Sequence, residues 1–188
     1  MLRNITKRII YSLFISSNII IIFTFFIKPD LSKYLRIVNI FSNNQYLNKK
    51  LIGYPNYGMK YANINIANNI LLPVYYGDDS NILKYGVGHY TGSYFPGENG
   101  TIIYLGHNNK NYLYNLKDIQ IDDIITIDTN YGQFNYAVSI IKVVNKNDYN
   151  AFKIQHAKEL LIIYTCYPFD QWFLPKEERL VIYAEKII

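Results

Sequence analysis

The stretch Leu160-Leu161-Ile162-Ile163-Tyr164-Thr165-Cys166, with Arg179-Leu180-Val181-Ile182-Tyr183-Ala184 opening thirteen residues after the cysteine, decides the fold. Both runs are short, apolar and rich in β-branched and aromatic residues, so both read as strands. If they are antiparallel neighbours, the end of the first and the start of the second lie at the same end of a sheet. With a side-chain period of two, Ile162, Tyr164 and Cys166 share a face, as do Arg179, Val181 and Tyr183. Cys166 and Arg179 then face one site.

Further runs of the same kind recur between turn signals at 61–66, 69–76, 101–105, 124–128 and 134–144. Spacing of this sort predicts a mainly β domain, a closed or nearly closed barrel of about eight strands with a few short helices. Asn130-Tyr131-Gly132 reads as a hairpin turn. Helical pieces are expected near 80–85, 111–117 and 148–153, with Ser80 and Asp148 as N-caps. No internal repeat is present.

Cys166 is the only cysteine, which excludes an internal disulfide, and it sits where a strand meets solvent. A thiolate there is a candidate nucleophile. Attack on an amide carbonyl generates an oxyanion, which a guanidinium such as that of Arg179 stabilises while clamping the substrate backbone. The departing amine needs a proton, and an imidazole supplies one near neutral pH. His107 closes the strand-like run Thr101-Ile102-Ile103-Tyr104-Leu105-Gly106, from which Ile103, Leu105 and His107 project together. Leu105 and Tyr164 would floor a groove suited to an apolar side chain of a bound peptide.

Leu-Gly-His at 105–107 resembles the sortase pattern in which a histidine follows a strand and a glycine, and Tyr-Thr-Cys at 164–166 resembles the end of the sortase signature. Gly-Val-Gly-His-Tyr at 86–90, Phe-Pro-Gly-Glu-Asn-Gly at 95–100 and Thr-Cys-Tyr-Pro-Phe at 165–169 look most like class D sortases. The resemblance covers roughly residues 60–186 and departs from the signature at its first threonine. It implies a sortase-type barrel and a cysteine transpeptidase and endopeptidase with His107, Cys166 and Arg179 as catalytic residues and no cofactor. The implied partners are secreted proteins bearing an LPXTG-like sorting signal and an amine acceptor such as a peptidoglycan precursor. It also implies a place near the pocket for His89, and for the Thr165 hydroxyl a role at the oxyanion. The residues alone allow an ordinary loop contact for His89 and a merely strand-completing role for Thr165. His156 reads as a surface residue. Trp172, Phe173 and Leu174 either fold onto the barrel or wall the mouth of the site.

Charge divides at residue 50: residues 1–50 carry eight Lys and Arg against one acid, and residues 51–188 carry eleven against thirteen. The domain lacks the clustered basic face a nucleic acid needs, so that partner is excluded. Asp78-Asp79 and Asp122-Asp123 are isolated pairs without the alternating ligands of a calcium loop, so no metal is expected. The twenty tyrosines carry no functional weight at this level.

Ile9–Ile27 is uncharged and as a helix would span roughly 28 Å, one hydrocarbon core. Lys28-Pro29-Asp30 is no signal-peptidase site, which favours a retained transmembrane anchor over a cleaved leader. The expected organisation is a cytoplasmic segment 1–8, an anchor 9–27, a spacer 28–58 and a catalytic domain 59–188. Basic residues flank the anchor almost equally, so the extracellular placement of the domain is what the resemblance implies. Two other readings are a pilus-polymerising sortase and a non-catalytic tethered β-barrel binding module. The former commonly carries an N-terminal lid and a C-terminal apolar segment, and the sequence shows neither before its end at Ile188. Protease added to intact protoplasts is expected to digest the domain and spare the anchor; protection of the domain would reverse the orientation.

Overall fold

The computed structural model describes Tyr11, Phe14, Ser16, residues 54–170 and residues 175–187. Apart from those first three positions, which are helical and exposed, the expected anchor and most of the spacer lie outside the described residues. Among the described residues no helix is long and apolar enough to cross a membrane. The chain divides into two compact units, Met1–Asn39 and Ile40–Ile188, of which the second holds the fold described below.

Eight strands form it: β1 (Lys60–Ile66), β2 (Ile70–Tyr76), β3 (Val87–His89), β4 (Thr101–Gly106), β5 (Ile124–Thr129), β6 (Gly132–Asn145), β7 (Leu160–Tyr167) and β8 (Glu178–Ile187). They close into a barrel in the order β1-β2-β3-β4-β7-β8-β6-β5. Seven were expected as apolar runs. The eighth, β3, is only three residues long with a glycine at its centre, too short for a periodicity signal. A Cβ on Gly88 would lie 2.5 Å from the Gly77 carbonyl oxygen, so only glycine lets the 77–78 backbone approach there.

Two pairings are parallel, β2 with β3 and β4 with β7; the others are antiparallel. The barrel interior holds Ile64, Val74, Ile102, Tyr104, Ile125, Ile127, Tyr136, Leu161, Ile163 and Ile182, all buried. A second cluster lies on the outer face, where Ile103, Ile162 and Val181 pack with Phe152, Ile154, Tyr164 and Tyr183. The β6–β7 connection covers that face: the Phe152 and Tyr164 rings are 4.6 Å apart, and the Tyr183 hydroxyl donates to the Ala151 carbonyl at 2.8 Å. With both faces covered, β7 needs apolar residues on each, which is why Leu160–Ile163 is continuous rather than alternating. Each such fully buried side chain contributes about 1.5–3 kcal/mol.

The helical pieces are short 3-10 turns at Ile82–Lys84, Leu113–Asp118 and Tyr149–Phe152. Asp148 caps the third, accepting from the Asn150 amide at 3.2 Å. At the first, the expected Ser80 cap is replaced by Asp79, whose Oδ1 accepts from the Asn81 and Ile82 amides at 2.8 and 3.1 Å. The loop Phe95–Gly100 is held by carboxylates. Glu98 accepts from the Phe95 amide at 2.8 Å, and the buried Glu159 accepts from the Gly97 and Asn99 amides at 3.0 and 3.2 Å. Glu159 also receives the Tyr136 hydroxyl at 2.6 Å and Lys186 Nζ at 3.0 Å, so its charge is compensated inside the fold.

His89 is completely buried. Its Nδ1 lies 2.8 Å from the Tyr61 hydroxyl and its Nε2 2.9 Å from the Ser93 hydroxyl, while the Tyr61 and Tyr104 hydroxyls are 2.7 Å apart. Burial pushes the His89 imidazole down to about 3 from 6.5. The folded chain therefore keeps it neutral where the unfolded chain protonates it. Its contribution to stability is complete above pH 6.5 and is lost as pH falls from there toward 3, by about 1.4 kcal/mol per pH unit. Urea unfolding across this window should show a shallower loss of stability on acidification for His89→Gln than for the wild type. Equal slopes would mean His89 does not titrate differently in the two states.

Candidate active site

Strands β4, β7 and β8 are consecutive in the barrel, and their register aligns the site. Parallel pairing sets Leu105 beside Tyr164 and Gly106 beside Thr165; antiparallel pairing sets Tyr164 beside Val181 and Cys166 directly opposite Arg179. Paired residues send their side chains to the same face, so Cys166 and Arg179 emerge together. His107 directly follows the last β4 pair, Gly106 with Thr165, as Cys166 does on β7. Neighbouring strands are about 4.8 Å apart, so Cys166 and Arg179 sit side by side, and His107 follows directly on the end of β4 at that same end of the barrel. Two residues back on the same face, Leu105 is buried and Tyr164 is half-buried with its ring 4.6 Å from that of Phe152.

His107 is exposed and Cys166 is a half-buried free thiol. The His107 backbone is fixed by its carbonyl, which accepts from the Leu113 amide at 2.9 Å. Leu113 then turns into the core over Gly106, where a Cβ would meet its Cδ1 at 2.9 Å. This close approach is the physical reason for the glycine before the histidine. On the other side, Asn108 Nδ2 donates to the carbonyls of Cys166 and Pro168 at 2.8 and 3.4 Å. Sequence reasoning passed over Asn108; its adjacency to His107 was the available signal.

Arg179 is half-buried, and its Nη1 donates to the carbonyls of Lys176 and Glu178 at 2.9 and 2.8 Å. These bonds tie the guanidinium to the main chain at the start of β8, the strand position paired with Cys166. Thr165 is buried on the opposite side of β7, and its hydroxyl donates to the Gly106 carbonyl at 2.7 Å. It joins β7 to β4, the strand-completing reading rather than the oxyanion one. His89, expected near the pocket, instead lies inside the barrel in the polar network with Tyr61 and Ser93, out of reach of a ligand on the outer face. His156 is an exposed residue paired with the Tyr94 hydroxyl. Residues 171–174, with Trp172, Phe173 and Leu174, lie outside the described residues. The connection leading to them is anchored by Phe169, which is buried against Tyr114 at 5.7 Å and Tyr167 at 6.0 Å. Among the described residues no cluster of three or more His, Cys, Asp or Glu is arranged to hold a metal ion.

A half-buried free thiol, an exposed imidazole and a half-buried guanidinium therefore sit at the ends of three neighbouring strands of a closed barrel. Comparison with known proteins names the family. The sortase domain matches residues 63–187, and this chain belongs to the sortase family. It is 36% identical over 119 residues to Sortase D of Bacillus subtilis (strain 168), a match covering 63% of this chain and 59% of that protein, less than two thirds of the relative's length. The class D resemblance of the sequence motifs holds in that match. Among solved structures, sortase C from Clostridium perfringens SM101 is 29% identical with a TM-score of 0.64, covering 85% of this chain and 88% of its own. A Clostridium perfringens Sortase D5 transpeptidase shares the fold at a TM-score of 0.65 and 24% identity, covering 72% of this chain and 83% of its own.

Arg179→Lys keeps the charge and loses the planar fork, so the efficiency of the chemical step is expected to fall at least tenfold, about 1.4 kcal/mol. Wild-type efficiency in the lysine variant, measured as kcat/KM on a cleavable peptide, would reduce the role to that of a point charge.

Proposed function

We propose that this chain is a membrane-anchored cysteine transpeptidase that cleaves an LPXTG-like sorting signal after its threonine and transfers the acyl group to an amine of a cell-wall precursor. The observation that supports the reading is the pairing of Cys166 with Arg179 together with the position of His107 directly after the Gly106–Thr165 pair. The Cys166 thiolate attacks the threonine carbonyl, and the resulting oxyanion lies beside the Arg179 guanidinium. The C–N bond breaks as His107 gives its proton to the departing amine, leaving a thioester on Cys166. The incoming amine then loses a proton to His107 and attacks the thioester, which restores the thiolate. All of these steps use side chains of this chain and need no redox partner. The half-buried Tyr164, paired with the buried Leu105 two residues before Cys166, would offer an apolar contact to the sorting signal.

A second reading has one observation in its favour, the 29% identity to a sortase C over most of both chains. In it the amine is a pilin lysine. Retention of the Ile9–Ile27 segment as the anchor belongs to the same proposal and rests on the sequence, and extracellular placement rests on the sortase resemblance.

The test is the full chain in detergent, incubated with a library of sorting-signal peptides and either short cell-wall amines or lysine-bearing peptides, with products sequenced by mass spectrometry. Ligation to the short amines after threonine is expected; ligation only to the lysine peptides would select the second reading. Cys166→Ala should lose both cleavage and ligation while remaining folded. Turnover by that variant would remove the cysteine mechanism, and its absence in the wild type on every peptide would favour a binding module.

A further inference from the structure

We infer that Asn108 is a positioning residue for the reaction, the tie that holds the His107 imidazole in register with the Cys166 thiol. The inference rests on the transpeptidase reading above and adds a residue to it. The β4–β7 ladder ends at the Gly106–Thr165 pair, one residue short of both His107 and Cys166. Past that point the two segments separate: β7 runs on into Tyr167 while the chain after β4 turns toward Leu113–Asp118. Asn108 bridges them, with its side-chain amide donating to the carbonyl of Cys166 at 2.8 Å and to that of Pro168 at 3.4 Å across 58 and 60 residues of sequence. Both partners are carbonyl oxygens that only accept, so the amide must present its NH2 to them and its orientation is determined.

The His107 main chain is thus held on both flanks. Its own carbonyl is tied to Leu113, and the next residue is tied to the nucleophile's main chain. An exposed imidazole on a strand end without such a tie would sample positions outside proton-transfer reach of the sulfur. Misplacement by about 1 Å costs on the order of a hundredfold in rate. Asn108 touches no reacting atom. Its effect must pass through the relative placement of His107 and Cys166, which a purely structural role would not require.

Full-length wild type, Asn108→Ala, His107→Gln and the double variant are compared in two assays: transpeptidation of one sorting-signal peptide, and alkylation of Cys166 by iodoacetamide from pH 5 to 9. Asn108→Ala is expected to lower kcat by about tenfold or more with KM changed less than about threefold, a loss of transition-state rather than ground-state interaction. Its alkylation profile should approach that of His107→Gln. Adding Asn108→Ala to His107→Gln should change the alkylation rate by less than about twofold, because two residues acting through one another are not additive. Asn108→Gln, which keeps the donor, should recover part of the activity, and Asn108→Asp, which at neutral pH has none, should not. An equal drop in both backgrounds, or an unchanged pH profile with only a lower melting temperature, would make Asn108 a structural residue and overturn the inference. Should Asn108→Ala fail to fold, the Gln and Asp variants decide in the same way. Cys166→Ala is assayed alongside. Activity in it would defeat the parent reading whatever Asn108 does.

Discussion

Everything at the site depends on the parallel pairing of β4 with β7. A parallel neighbour cannot be reached by a hairpin, so the chain runs through β5 and β6 before returning, and the return places a histidine segment beside a cysteine segment that lies far away in sequence. Its register is not adjustable. A slip of β7 by one residue would turn Leu161 and Ile163 out of the core and Cys166 inward. The burial that stabilises the barrel therefore also fixes which side chains leave it together. The Thr165 hydroxyl on the Gly106 carbonyl reinforces this pairing at its last rung, from the interior side.

The two covered faces of β7 divide the labour. The interior face packs the barrel, and the outer face is closed over Ile162 and Tyr164 by the β6–β7 connection, while Cys166, two pleat repeats beyond Ile162, is half-buried. A strand that is rigid for most of its length and exposed only at its tip presents a nucleophile with little freedom to move. Arg179 gains the same property from β8, whose Leu180, Val181 and Ile182 are all buried immediately behind it. The imidazole is the exception. It lies beyond the end of its strand, and the bonds from Leu113 and Asn108 take the place of a ladder there.

Much of this was legible in the chain because it follows from alternation. The β7–β8 pair, the shared face of Cys166 and Arg179, and the outward projection of Leu105 with His107 need only a period of two and short apolar runs. β3 was not legible, since its three residues are bridged through a glycine whose value lies in contact with a distant backbone. His89 shows a different limit. A Gly-His-Tyr stretch looks like a loop near a pocket, yet the partners that make a buried neutral imidazole tolerable, Tyr61, Ser93 and Tyr104, are separated from it in sequence or hidden among the many tyrosines. Capping by Asp79 in place of Ser80 is a matter of one residue in a segment where either side chain has the right chemistry. Asn108 belongs with these: its adjacency to His107 marks the position, but the main-chain partner of its side chain, 58 positions away, leaves no local trace.

The central claim is that Cys166 carries the acyl group because the register delivers it, with His107 and Arg179, to one substrate-facing row. It is tested most directly by the intact mass of the chain after brief mixing with a cleavable sorting-signal peptide in the absence of an added amine, followed by peptide mapping. The account predicts a covalent adduct equal in mass to the peptide up to and including its threonine, located on Cys166 and released by hydroxylamine. Cleavage of the peptide with the adduct on another residue, or with no adduct accumulating in the wild type while His107→Gln cleaves as fast, would contradict it.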